Sequence, residues 1–197
     1  MKINLEQIYA GLKAWRAERG ITAESQKAGY LVNVMEELGE LATALREYER
    51  FSKPSYPYPK NKKYAEHGII DALCDISVFT INAGADINCN EKIESINTTT
   101  QTTRCNSSLS FLLSDCGDFD YYGEFMPDFF NDILIDCAKI CENYGFNFEI
   151  AMLETIKEIS SRTGSYDEVS KKWVKDESDE ARAKWYQADY EKARIEK

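Results

Sequence analysis

The sequence has a single histidine, only four prolines, and fewer basic than acidic residues, 24 against 34. None of its six cysteines forms a CxxC pair, and no apolar run approaches the ~20 residues that a bilayer crossing needs. Each shortage excludes something. His67 has no Cys or His companion within metal-ligand spacing, so it reads as a surface or core residue rather than a ligand. Cys74, Cys89, Cys105, Cys116, Cys137 and Cys141 are spread along a chain too long for a disulfide scaffold, and read as free thiols acting as small hydrophobes. The formal net charge of −10 argues against nucleic acid as a partner, because phosphate backbones need a basic footprint. Lys2-Ile3-Asn4-Leu5-Glu6-Gln7 carries no apolar signal core or cleavage site, so the expectation is a cytoplasmic protein with no membrane partner. No strand-like alternation of useful length and no internal repeat is present.

What the sequence does have is helical periodicity. With 197 residues, 43% of them hydrophobic, it can bury the core of one domain, residues 1–197. Leu5, Ile8, Leu12 and Trp15 recur at three- and four-residue steps and predict a first helix over Leu5–Arg19, stopped by Gly20. A second helix follows over about Ser25–Phe51, with Thr22 or Ser25 as its N-cap. The stretch Ser52–Lys63 holds three prolines and four lysines and predicts a loop. Further helices are expected from about Tyr64 to Ala85, Asp128 to Tyr144 and Asn147 to Ser161. A short apolar turn or helix is expected at Leu109–Leu113, with an irregular stretch over Asp115–Pro127. A polar segment should follow Gly164, and a charged last helix should begin near Ser178, docking through Trp185, Tyr186 and Tyr190. The polar run from Asn88 to Ser108 reads as a flexible loop. The expected fold class is all-α, a helical bundle.

Two acidic stretches stand out inside these apolar helices. The first is Glu36-Glu37-Leu38-Gly39-Glu40, and the second is Asp71-Ala72-Leu73-Cys74-Asp75. Positions three or four apart share a helix face, so Glu37 pairs with Glu40 and Asp71 with Asp75. Carboxylates set among Leu, Ile and Val are costly without a compensating cation. If the two helices face each other, four carboxylates converge, and all-oxygen ligation suits a hard divalent cation such as Mg²⁺. Downstream lies a cationic set, Lys157, Arg162, Lys171, Lys172 and Lys175. Its lysines read as surface charge balance. Arg162 is more specific, because Ser160-Ser161-Arg162-Thr163-Gly164 offers hydroxyls, a guanidinium and a Gly to a phosphate.

Glu36-Glu37-Leu38-Gly39-Glu40, followed by Asp75 and then Asn82, resembles the motif of the all-α nucleoside triphosphate pyrophosphohydrolases, the MazG-like group. Trp15 and Arg19-Gly20-Ile21 look like that family's opening helix and turn. The segments around Lys157 to Gly164, Lys172 to Lys175 and Trp185 to Tyr190 are similar to a phage and bacterial branch related to dimeric dUTPases and dCTPases. The resemblance spans about residues 5–87 and 145–192, and leaves about 88–127 as an insertion. One position departs: the family acid three before Asp75 would be Ala72, and Asp71, four before, is the nearest substitute.

The resemblance implies a hydrolase that converts a (deoxy)nucleoside triphosphate to the monophosphate and pyrophosphate in nucleotide-pool housecleaning. Its oligomeric core would be a homodimer or a dimer of dimers. It implies Mg²⁺, with Mn²⁺ as a substitute, held by Glu37, Glu40, Asp71 and Asp75. Glu36, or whichever of Glu37 and Glu40 is less committed to metal, would orient the attacking water. Asn82 would contact metal or sugar, and Lys157, Arg162, Lys172 and Lys175 would hold pyrophosphate. The alternative is a non-catalytic nucleotide-binding or regulatory protein on the same scaffold.

Overall fold

Why the chain folds as it does is plainest in its third helix, where Ile69, Ile70, Leu73, Cys74 and Ile76 are all fully buried. A helix apolar around most of its circumference must lie at the centre of a bundle. In the computed structural model, which describes residues 2–86, 95–97, 108–121, 124–125, 127–167 and 172–196, it does. This helix, α3 (Pro59–Ala83), packs against α1 (Glu6–Arg19), α2 (Ala23–Phe51), α5 (Pro127–Asn143) and α6 (Phe148–Ser161). Each fully buried Ile or Leu contributes about 2 kcal/mol of apolar transfer free energy. Two further helices among the described residues are α4 (Ser108–Phe119) and the one-turn α7 (Asp179–Arg182). The all-α expectation therefore holds at the level of class, and no described helix is long and apolar enough to cross a membrane.

The ends of the helices follow local chemistry. Gly20, at φ 62°, and Gly145, at φ 83°, take the left-handed conformation that closes α1 and the α5–α6 connection. The Thr22 side chain accepts from the Ser25 N–H at 3.1 Å, and the Asn147 side chain from the Ile150 N–H at 3.1 Å, capping α2 and α6.

Several expectations need correction. The α3 helix starts at Pro59, not near Tyr64, because proline is preorganised for a first helical turn and the lysines after it are good helix formers. Residues expected to be irregular after Asp115 continue α4 to Phe119, with Leu112, Cys116 and Phe119 buried at helical spacing. Phe119 meets Tyr30 of α2 edge-on at 5.1 Å between centroids. Short antiparallel pairs also occur. β1 (Lys2–Asn4) pairs with β2 (Ser95–Asn97), placing Ile3 opposite a buried Ile96. β3 (Asp120–Tyr121) pairs with β4 (Glu124–Phe125), and β5 (Gly164–Asp167) with β6 (Lys172–Lys175). Within 88–127, Ile96, Leu112, Cys116 and Phe119 join the core, while 88–94, 98–107, 122–123 and 126, with Cys89, Cys105 and the threonine run, lie outside the described residues. No long last helix forms. After α7 the chain runs as a strap over α6 and α3 and ends in a 3₁₀ turn, Tyr190–Ala193.

Candidate functional site

The site is set by how closely α2 and α3 cross. A Cβ built on Gly68 would lie 3.3 Å from the Ala44 Cβ, so two small residues bring the backbones together there. The helices run antiparallel, so one turn back along α2 and one turn on along α3 bring Glu40 level with Asp71. Two turns bring Glu37 level with Asp75. The two acidic stretches therefore face each other, and Glu40 acts on Asp71 and Glu37 on Asp75. Glu36, Glu40 and Asp71 line a cleft of about 710 Å³. Its other walls are Tyr64 and His67 of α3, Glu158 of α6, and Gln187, Ala188 and Tyr190 of the strap.

Glu37 and Asp75 are not among the residues that line this cleft, and the charge balance of the paired acids is unfavourable as it stands. Burial raises Glu37 to about 7, and the carboxylates of Glu40, Asp71 and Glu36 push it the same way. Asp75 is raised well above the usual range by burial, then by Asp71 and Glu37. Burial also raises Asp71, against the opposing effect of a hydrogen bond from Tyr190. Among the described residues no group donates a hydrogen bond to the Asp75 side chain. Among the described residues, Arg162 acts on Glu37, Asp71 and Asp75 alike, favouring the charged form of each. These acids are poor in cations and offer only oxygen donors, a set whose chemistry suits a hard divalent cation. As placed, no three His, Cys, Asp or Glu side chains among the described residues stand close enough to share one ion.

Arg162 is held from behind. The Arg19 guanidinium, 8% exposed, donates to the carbonyls of Ile159, Ser160 and Arg162 at 3.0–3.3 Å, so it caps the C-terminus of α6. The Arg19 guanidinium carbon lies 5.4 Å from the centre of the Trp15 ring and 5.0 Å from that of Trp173. The Trp15 indole N–H also donates to the Ile159 carbonyl at 3.2 Å. Trp15 and Trp173 thus serve this cap. Arg162 turns out of the helix with extended backbone, and its Nη2 donates to Glu158 Oε1 at 2.9 Å.

The remaining residues singled out in the sequence lie elsewhere. Asn82 is fully buried about two turns beyond Asp75 and is not on the cleft; its Oδ1 accepts from Arg16 Nη1 at 2.5 Å. Lys157 is bonded to Glu154 Oε1 at 2.5 Å and is exposed. Lys175 is exposed on β6, and the side chains of Lys171 and Lys172 lie outside the described residues. Ala72 is packed in the core, so Asp71 is the acid of that turn that reaches the cleft. The four described cysteines are free and buried, and burial pushes their thiols up, Cys116 to about 12, which makes them poor nucleophiles.

Sequence reasoning missed the strap and the α6 acids. Glu154 and Glu158, four apart in an apolar helix, carry the same pattern as Asp71 and Asp75 and could have been found by it. Glu158 takes Arg162 on one oxygen and the Ala188 N–H on the other, at 2.8 Å. Glu154, 2% exposed, accepts from Lys157, the Tyr186 phenol, the Asp189 N–H and Lys192. His67, on the cleft wall, has its Nε2 2.6 Å from Glu191 Oε1 of the strap. Tyr190 reads in the sequence only as part of a docking face, and nothing local signals its bond to Asp71. No protein-family model matches this chain, and no curated protein or solved structure matches it either.

Proposed function

We propose that this protein is a Mg²⁺-dependent nucleoside triphosphate pyrophosphohydrolase on a MazG-like helical scaffold, acting at the cleft between α2 and α3. The observation that carries the reading is the pairing of Glu37 and Glu40 with Asp71 and Asp75 across the Gly68–Ala44 crossing, with Asp75 half-buried and unbonded. Such a set gains most from a divalent cation. When bound, the cation would neutralise triphosphate oxygens and make a water easier to deprotonate.

The chain's own groups supply the rest. Glu36 and Glu40, exposed at the cleft, are placed to accept a proton from a water. Arg162, the cation that opposes the acids, is the group to receive the leaving pyrophosphate. Tyr64, exposed at the cleft mouth, offers a face to a base. The cleft volume is in the range that holds a small ligand.

The test is release of pyrophosphate from a panel of deoxynucleoside triphosphates with Mg²⁺, and then with Mn²⁺. Turnover of one or more is expected, and no turnover of any nucleotide would sink the reading. A second reading, nucleotide binding without catalysis, is favoured by one observation: no three described acids share an ion as placed. Binding of a nucleotide without pyrophosphate release selects it.

Self-association belongs to the same proposal. Leu31, Val32 and Met35 are exposed on α2 at 40%, 72% and 64%, an apolar face beside the cleft. Val32→Lys is expected to shift a dimer toward monomer in light scattering; a wild-type monomer at all concentrations removes that part of the proposal.

A further inference from the structure

We infer that Tyr190 is a positioning residue of the acidic site: its phenol O–H fixes one oxygen of Asp71, which makes the C-terminal strap a working part of the site. This rests on the cation reading of the cleft.

The phenol O–H donates to Asp71 Oδ1 at 2.6 Å, and its oxygen lies 3.0 Å from Thr155 Oγ1. A phenol has one proton to give. With that proton on Asp71, the phenol oxygen can only accept from Thr155, whose single proton is also within reach of the Ala151 carbonyl at 3.1 Å. Thr155 is 2% exposed and Tyr190 4%, so water does not compete for either hydroxyl. Asp71 Oδ2 takes no hydrogen bond from any described residue and is left for the cleft. One oxygen tied to a buried donor and the other left open is how an outer partner orients a carboxylate toward a cation.

The tyrosine is itself held firmly. Its ring packs edge-on to His67 at 6.0 Å. On either side the strap backbone is pinned, by Ala188 N–H to Glu158 Oε2 at 2.8 Å and by Asn147 N–H to the Ala193 carbonyl at 2.7 Å. The strap therefore delivers a hydroxyl to an acid that lies 119 residues away in sequence.

Calorimetric titration with Mn²⁺ alone tests this, on the full chain. Tyr190→Phe keeps the ring and removes only the hydroxyl. It is expected to weaken Mn²⁺ binding roughly 10-fold or more. Thr155→Val, which removes the hydroxyl beside the phenol oxygen and keeps the shape, is expected to weaken it less. The deciding comparison is Asp71→Asn alone against Asp71→Asn with Tyr190→Phe. Equal affinities in that background are expected if Tyr190 acts through Asp71, whereas a merely structural tyrosine lowers both backgrounds alike. Wild-type affinity in Tyr190→Phe overturns the inference and leaves the cation reading standing. A wild-type protein that binds no Mn²⁺ overturns both. If Tyr190→Phe does not fold, the Thr155→Val titration decides, and wild-type affinity there counts against the inference.

Discussion

At the residue scale, the four paired acids are not equivalent. Glu40 is exposed, whereas Glu37, Asp71 and Asp75 are half-buried. Removing charge from Glu40 should therefore touch chemistry more than folding. Glu40→Gln is expected to lower pyrophosphate release at least ~100-fold with an unchanged melting temperature; wild-type rates there refute its assignment. Glu37→Gln is expected to raise the melting temperature of the metal-free protein near pH 8, since it removes a charge that burial and its neighbours oppose. Gly84 gives a purely structural prediction. A Cβ there would lie 2.6 Å from the Phe130 ring, and that ring is fully buried. Gly84→Ala should cost about 1–3 kcal/mol in denaturant unfolding, with activity per folded molecule retained.

At the element scale, α2 and α3 were legible and the strap was not, for a physical reason. A helix writes its burial into the sequence every three or four residues, so Glu37 with Glu40, and Asp71 with Asp75, could each be placed on one face of its own helix from spacing alone. The α4 helix had the same signal in Leu112, Cys116 and Phe119, obscured by Asp115, Gly117 and Asp118, which suggest a turn. The strap has no period. Trp185, Tyr186 and Tyr190 suggested a helix face, yet only Asp179–Arg182 is helical, because the backbone beyond it bonds to carboxylates on α6 instead of to itself. Burial opposes the charge on Glu154, and its donors outweigh that and hold it at about 2. Glu154→Gln should therefore loosen the strap. Expected are faster amide exchange over Tyr186–Tyr190 and a loss of about 2–3 kcal/mol, because a buried site built for a charge loses its acceptor. Unchanged exchange would show that the strap holds without it.

At the scale of the whole molecule, two sets of acids titrate in opposite directions. Glu154 and Glu191 are held low, each at about 2. For Glu191 the cause is first the hydrogen bond from Arg194, with His67 and Lys63 adding to it against burial. Their folded state binds fewer protons than the unfolded one between about 2 and 4.5, so they add stability as pH rises through that window. Glu37 is held high, at about 7, so its folded state binds more protons than the unfolded one, and stability falls as pH rises from about 4.5 to 7. Asp71 and Asp75, both raised, add to that loss. The metal-free protein should be most stable near pH 4.5–5 and lose on the order of 5 °C in melting temperature by pH 7.5. Mn²⁺ should restore it at pH 7.5. A flat profile above pH 5, or no effect of Mn²⁺, contradicts the picture of repelling acids in the cleft.

The bond between Tyr190 and Asp71 also has a consequence in time. A ribosome adds roughly 5–20 residues per second. The 119 residues between the two partners thus separate them by roughly 6–24 s of synthesis. The hairpin of α2 and α3 is local and can form early, while Asp71 still lacks its bond from the Tyr190 hydroxyl. On the proposed reading, a nascent chain carries the carboxylates long before it carries the Tyr190 hydroxyl, and the site is complete only after residue 190 has emerged and the strap has closed.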